Sequence, residues 1–297
     1  MSIFEGAGVA LITPMNADGS VNYDKLEEIL EQQIAGGTDA IISCGTTGEA
    51  STLSEKEHVD CIRFTCEKVA GRIPVIAGTG SNSTQTAVML TKEAVEAGAD
   101  GLLLVTPYYN KSTQNGLKEH FRAIAGEASD RPILLYNIPG RTGVKIEAGT
   151  VVDLWKNVPN IVGVKDATGD LSETVKVLSM SDGGVDVYSG NDDITVPIMS
   201  VGGKGVISVL SNILPKETHD MAQACLDGDF KKASAMQRKY FDLIGALFCE
   251  VNPIPVKKAM NLMGMEVGGL RLPLTEMEES HAALLRSEME KVGISVK

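Results

Sequence analysis

An α/β fold, a (β/α)8 TIM barrel with a C-terminal helical appendage, is predicted by three features of this 297-residue sequence. Short apolar runs recur eight times. Helical patterns separate them at spacings of roughly 20 to 35 residues. After about residue 215 the pattern turns wholly helical.

The runs are GVALITP (8 to 14), AIISCG (40 to 45), PVIAGTG (74 to 80), GLLLVTP (101 to 107), ILLYNIP (133 to 139), IVGVKDATG (161 to 169), DVYSGND (186 to 192) and GVISVLSN (205 to 212). Most are rich in Val, Ile and Leu without polar alternation, as parallel strands covered on both faces must be. No GxGxxG follows the first run, which argues against an open dinucleotide-binding sheet.

Between the runs, STLSEKEHVDCIRFTCEKVAG reads as a helix with Ser54 as N-cap, Glu57 as its capping-box partner, Val59, Ile62 and Val69 on the apolar face, and Gly71 as the stop. TAVMLTKEAVEAGAD closes in the same way before the fourth run. Beyond residue 215, KETHDMAQACLDGD is expected to close the barrel. Three further helical segments, FKKASAMQRKYFDLIGALFC, PIPVKKAMNLMGM and EESHAALLRSEMEKVG, form the appendage, whose methionines read as packing. The barrel is expected over 1 to 225 and the helical region over 226 to 297, with no low-complexity linker between them.

A net charge of -12 disfavours nucleic acid and anionic membrane surfaces, so the expected partners are small molecules. The start lacks a basic segment followed by a long apolar core, and no stretch approaches the roughly 18 uninterrupted apolar residues of a spanning helix. The cytoplasm is the expected location. Five cysteines without a CxxC pair point to reduced thiols, and four scattered histidines to no metal site. Cys44 reads as a small buried residue at a strand end.

In such a barrel the chemistry lies where the strands end. GTTGE (45 to 49), TPYYN (106 to 110), YNIPGRTG (136 to 143), Lys165 and SGND (189 to 192) collect there. An amine is a nucleophile only when unprotonated, and burial disfavours the ammonium form. Bringing a lysine from about 10.4 to near neutrality takes about 4 kcal/mol of differential solvation. Lys165 could then form a Schiff base with a ketone; alone, it could equally be a salt-bridged lysine. GTTGE offers hydroxyls and backbone N–H groups to a small carboxylate, although an ordinary turn has the same composition. Tyr136 needs a partner for its hydroxyl if buried, which a core tyrosine would also. Together, Lys165, Tyr136, Thr46, Thr47 and Arg141 describe a nucleophile, a proton relay and anion holders, the makings of a 2-oxo acid site.

From about residue 4 to the C-terminus the chain resembles the dihydrodipicolinate synthase family of pyruvate-dependent Schiff-base aldolases, related to N-acetylneuraminate lyase. GTTGE, TPYYN, YNIPGRTG, GVKDATGD and GVISV stand in that family's order and spacing. The resemblance implies that Lys165 attacks the keto carbon of pyruvate. Tyr136, bonded to Thr46, relays protons, and Tyr109 completes the relay from the neighbouring subunit of a tight dimer. Thr46 and Thr47 hold the pyruvate carboxylate, Arg141 orients the carboxylate of L-aspartate 4-semialdehyde, and Gly190 and Ile207 line the same pocket. The implied product is 4-hydroxy-tetrahydrodipicolinate, on the route to diaminopimelate and lysine. No metal, flavin or nicotinamide is implied, and the assembly is a homotetramer, a dimer of dimers. Thr46 and Arg141 favour this branch over the sialic-acid lyases, which usually have Ser for Thr46 and lack the arginine. Lysine-inhibited members carry an interface cleft that Asn82, His58 and Tyr108 match. There Ala50, Glu55 and Thr86 depart from the pattern, and Thr86 removes an acid expected to hold an ammonium. Weak or absent lysine inhibition is therefore expected.

Three other readings compete. A sister pyruvate aldolase would act on another aldehyde, and substrate profiling separates it. A pyridoxal phosphate enzyme would use GGKG (202 to 205) as a phosphate loop and would be yellow. A barrel kept as a binding module would take pyruvate without turnover.

Overall fold

Apolar runs without polar alternation form strands here because both faces of each strand are covered. The computed structural model describes residues 2–128 and 131–297. Among the described residues the strands are β1 Gly6–Ala10, β2 Ala40–Ser43, β3 Val75–Gly78, β4 Gly101–Val105, β5 Ile133–Asn137, β6 Ile161–Asp166, β7 Asp186–Ser189 and β8 Gly205–Ser208. They pair in parallel in chain order, and β8 returns to β1 to close the barrel. Helices α1 Tyr23–Ala35, α2 Glu55–Val69, α3 Thr84–Glu96, α4 Gln114–Ala125, α5 Pro139–Thr142, α6 Ala148–Asn157, α7 Leu171–Met180 and α8 Thr195–Ser200 run between them. After β8 come α9 Pro215–Leu226, α10 Phe230–Leu247, α11 Ile254–Leu262 and α12 Glu279–Lys291. No helix among the described residues is long and apolar enough to cross a membrane.

Residue parity decides what each strand shows to each side. On β5, Ile133 and Leu135 pack outward with Phe121 and Val151 of the helical layer. Leu134 and Tyr136 point into the barrel with Ile42, Ile76, Leu103, Tyr188 and Ile207. The register between β5 and β6 skips Val162, pairing Ile133 with Ile161 but Leu134 with Gly163. That irregularity brings Lys165 level with Tyr136, and the next ladder sets Lys165 beside Tyr188. Phe4 closes the other end, stacked on Tyr188 at 4.5 Å and accepting its hydroxyl through the main-chain oxygen at 2.6 Å.

Local signals hold with small shifts. Ser54 and Glu57 form the capping box of α2, but the helix turns left-handed at Ala70 (φ +50°), one residue before Gly71. The first strand ends at Ala10, not at residue 14. Past it the Ile12 N–H leaves the ladder for Asn212 Oδ1, at 3.2 Å. The first post-barrel helix, α9, packs on β1 and β8. Leu243, Ile244, Met260, Leu285 and Met289 of the later helices share one core with Ile29 and Leu30 of α1, which accounts for the buried methionines by packing.

Candidate active site

Lys165 stands one residue from the end of β6 on the inward face, 6% exposed. Among the described residues its amine has neither an ion pair nor a hydrogen bond; it lies 4.4 Å from the centre of the Tyr136 ring. Burial pushes its pKa down to about 7, the Asp192 carboxylate resisting and the Arg141 guanidinium adding to the fall. Gly190, just past β7, leaves the space this requires. A Cβ there would sit 3.1 Å from Lys165 Cε and 2.7 Å from the Ala167 methyl carbon.

The GTTGE segment is a tight turn after β2. Gly48 N–H donates to Gly45 O at 3.1 Å and Glu49 N–H to Thr46 O at 3.1 Å. Cys44 and Glu49 at its two ends hold left-handed φ values of +55° and +54°, a strained conformation that neighbouring contacts must enforce. Thr13 Oγ1 donates to Gly48 O at 2.7 Å. Glu49 pairs with Lys257 of α11 at 2.7 Å and accepts the Arg271 N–H at 3.0 Å. Lys257 also donates to the main-chain oxygens of Thr13 and Gly269. Cys44 is buried, and Cys61 beside it together with desolvation holds its thiol protonated, as suits a packing residue.

Above Lys165 opens a 440 Å³ cavity. Thr46, Thr47, Tyr136, Arg141 and Gly190 line it, and Phe241 and Ile244 of α10 roof it with Phe248 just past that helix. Burial pushes the Tyr136 phenol up to about 12, opposed by Arg141 and by the Thr46 hydroxyl, so it enters as a proton donor. Arg141, on α5, donates through Nη2 to the main-chain oxygen of Asn252 at 3.2 Å. A second cavity of 370 Å³ shares Thr46, Tyr136 and Arg141 and adds Ala50, Glu55, His58, Thr86 and Tyr108.

Six of the eight residues singled out from the sequence thus meet in one cavity: Lys165, Tyr136, Thr46, Thr47, Arg141 and Gly190. Two do not. Ile207 is 1% exposed within the interior cluster and is absent from the cavity wall. Tyr109 is 91% exposed, held at φ +71° in the loop after β4. Two residues were missed. Asp192, buried after β7, accepts the Val209 and Leu210 N–H groups on Oδ2 at 2.9 and 3.1 Å; it lay within SGND, but nothing there set it apart. Asn252 sits in a stretch read only as helical appendage. GGKG ends on the first residue of β8, at the end of the barrel opposite Lys165, and its lysine binds Glu5 at 3.0 Å, so it is no phosphate loop for this site.

Comparison with known proteins agrees with this geometry. The model of the dihydrodipicolinate synthetase family matches residues 3–292. The 4-hydroxy-tetrahydrodipicolinate synthase of Lachnoclostridium phytofermentans is 56% identical over 294 residues, covering 99% of this chain and all of that one. The crystal structure of dihydrodipicolinate synthase from Aquifex aeolicus superposes with a TM-score of 0.96 at 46% identity, over 99% of this chain and 100% of that one. That of the chloride-inhibited dihydrodipicolinate synthase from Acinetobacter baumannii complexed with pyruvate gives 0.95 at 46% identity, over 98% and 99%. The chain belongs to the dihydrodipicolinate synthetase family.

Proposed function

We propose that this chain condenses pyruvate with L-aspartate 4-semialdehyde through a Schiff base on Lys165, giving 4-hydroxy-tetrahydrodipicolinate, the committed step toward diaminopimelate and lysine. The observation that carries the reading is the Lys165 amine, buried without an ionic partner among the described residues, against Tyr136 and beneath the Thr46–Thr47 turn. With a pKa of about 7, a substantial share of the amine is uncharged at neutral pH and ready to attack.

The amine adds to the keto carbon while Thr46 and Thr47 hold the carboxylate. Tyr136 donates a proton to the departing hydroxyl, which leaves as water, and an iminium forms. The Tyr136 phenolate takes a methyl proton to give the enamine, whose carbon bonds to the aldehyde carbon of the second substrate as Tyr136 passes the proton on to the aldehyde oxygen. Arg141 holds that substrate's carboxylate at the mouth. The amino group of the new chain then displaces Lys165 by transimination, closing the ring and returning the lysine to its starting state.

The same reading makes the protein a homotetramer, a dimer of dimers, with Tyr109 reaching across the tight interface to extend the proton relay. Its exposure and its strained backbone support that role. It also places the enzyme in the cytoplasm, in keeping with its acidic surface and its substrates. The alternative, a sister aldolase for another aldehyde, differs only in what Arg141 and the roof admit.

Borohydride reduction with pyruvate, followed by peptide mass spectrometry, tests the reading. A reduced pyruvyl adduct on Lys165, depleted when L-aspartate 4-semialdehyde is added first, is the expected result. Label on another lysine, or on none, would overturn it.

A further inference from the structure

Asn252 follows α10 in the C-terminal region, 5% exposed, and lines the cavity. It touches two members of the site at once. Its Nδ2 donates to Thr47 Oγ1 at 2.9 Å, and its main-chain oxygen accepts from Arg141 Nη2 at 3.2 Å. Its Oδ1 is buried without a partner among the described residues, so the bond to Thr47 is the one side-chain bond that orients the amide.

A hydroxyl carries one proton and two lone pairs. Left free, the Thr47 proton could turn toward any nearby acceptor. With an N–H donor on its oxygen, one lone pair is occupied and the O–H is left to donate elsewhere. A carboxylate is acceptor-only, so it binds a hydroxyl only through that proton. The main-chain contact to Arg141 does not depend on the amide, so removing the side chain separates the two functions of the residue.

Resting on the reading above, we infer that Asn252 is a positioning residue for pyruvate: its amide turns the Thr47 hydroxyl so that the proton faces the substrate carboxylate. The C-terminal helical region therefore supplies part of the substrate selectivity of a barrel to whose strands it contributes nothing.

A double-mutant cycle on the full-length enzyme tests this. Asn252→Ala is expected to raise the KM for pyruvate about 5- to 10-fold, the loss of roughly one oriented hydrogen bond. It should leave the KM for L-aspartate 4-semialdehyde within about twofold. In a Thr47→Val background the same change should add less than about twofold, because the hydroxyl it orients is gone. Equal effects in both backgrounds, or an Asn252→Ala enzyme with unchanged pyruvate KM, would overturn the inference. So would a larger rise for the second substrate than for pyruvate. Should the alanine variant fail to fold, Asn252→Asp keeps the shape but accepts the Thr47 proton. Its pyruvate KM should then rise at least about tenfold at an unchanged unfolding midpoint, and a KM within twofold of the parent's would overturn the inference. Wild-type enzyme that forms no adduct at Lys165 sinks the underlying reading; an adduct with additive effects sinks this inference alone.

Discussion

Two regions of this molecule each bury a lysine, and they treat it in opposite ways. Lys257 lies on α11, 1% exposed, with Glu49 Oε1 at 2.7 Å and the main-chain oxygens of Thr13 and Gly269 around it. Lys165 lies on β6, 6% exposed, with an aromatic face beside it and, among the described residues, no carboxylate bonded to it. Burial lowers both amines, but Glu49 draws Lys257 back, whereas Lys165 falls to about 7. Desolvation alone does not make a nucleophile. What sets Lys165 apart is that, among the described residues, it lacks the ionic and hydrogen-bond partners that Lys257 has, as the proposed nucleophile must.

The sharpest way to break this comparison is to truncate both residues. Lys165→Ala is expected to lower kcat/KM by about 10⁴-fold and to abolish the borohydride adduct, while the protein stays folded. Lys257→Met should instead leave Glu49 buried and unpaired and cost about 3 to 5 kcal/mol of stability, measured by denaturant unfolding. A Lys257→Met protein as stable as the parent would show that the pair is not what fixes the GTTGE turn. Replacing Glu49 by Gln in the same chain should restore part of the loss.

The two lysines should also separate by pH. Because the folded pKa of Lys165 lies below its ordinary value of 10.5, the unfolded chain binds more protons between about pH 7 and 10.5, and Lys165 contributes a rise in stability across that window. Lys165→Met should accordingly be more stable than the parent at neutral pH, with the gap narrowing toward pH 10. In the parent, kcat/KM for pyruvate should climb from pH 6 and level off above the amine's pKa of about 7. A flat profile would mean that another step limits the rate. The smallest expected effect concerns free lysine. The second cavity has Thr86 where the resemblance leads one to expect an acid, leaving Glu55 as its lining carboxylate, and burial keeps the His58 ring neutral, its Nε2 on Gly78 O at 2.7 Å. A steady-state titration with micromolar lysine should show little loss of rate; strong inhibition would overturn that expectation.

Much of the barrel was legible because its signals are local. Continuous apolar runs mark strands covered on both faces, and Ser54 with Glu57 marks the start of α2 through bonds within one turn. Strand ends were less so, since Ile12 leaves the ladder for the side chain of Asn212, two hundred residues away in sequence. The polar groups at strand ends pointed to Lys165, Thr46 and Arg141 because the topology brings all strand ends to one mouth. Asn252 carried no such mark, its role arising only from how α10 and the following turn fold back over the cavity. GGKG kept a competing reading open because glycines around a lysine look alike at either end of a strand.

The fastening of GTTGE also bears on the order in which the protein becomes an enzyme during synthesis. The last barrel strand ends at Ser208, yet the turn is held by Asn252, Lys257 and Arg271. A chain emerging from the ribosome can lay down all eight strands before those three residues have been made. Until then the strained turn at Cys44 and Glu49 keeps its internal bonds and the one from Thr13 but lacks those from the C-terminal region. On the proposed function, all eight strands can therefore be complete before the turn that would hold pyruvate is fully fastened, and the C-terminal region supplies the missing fastening.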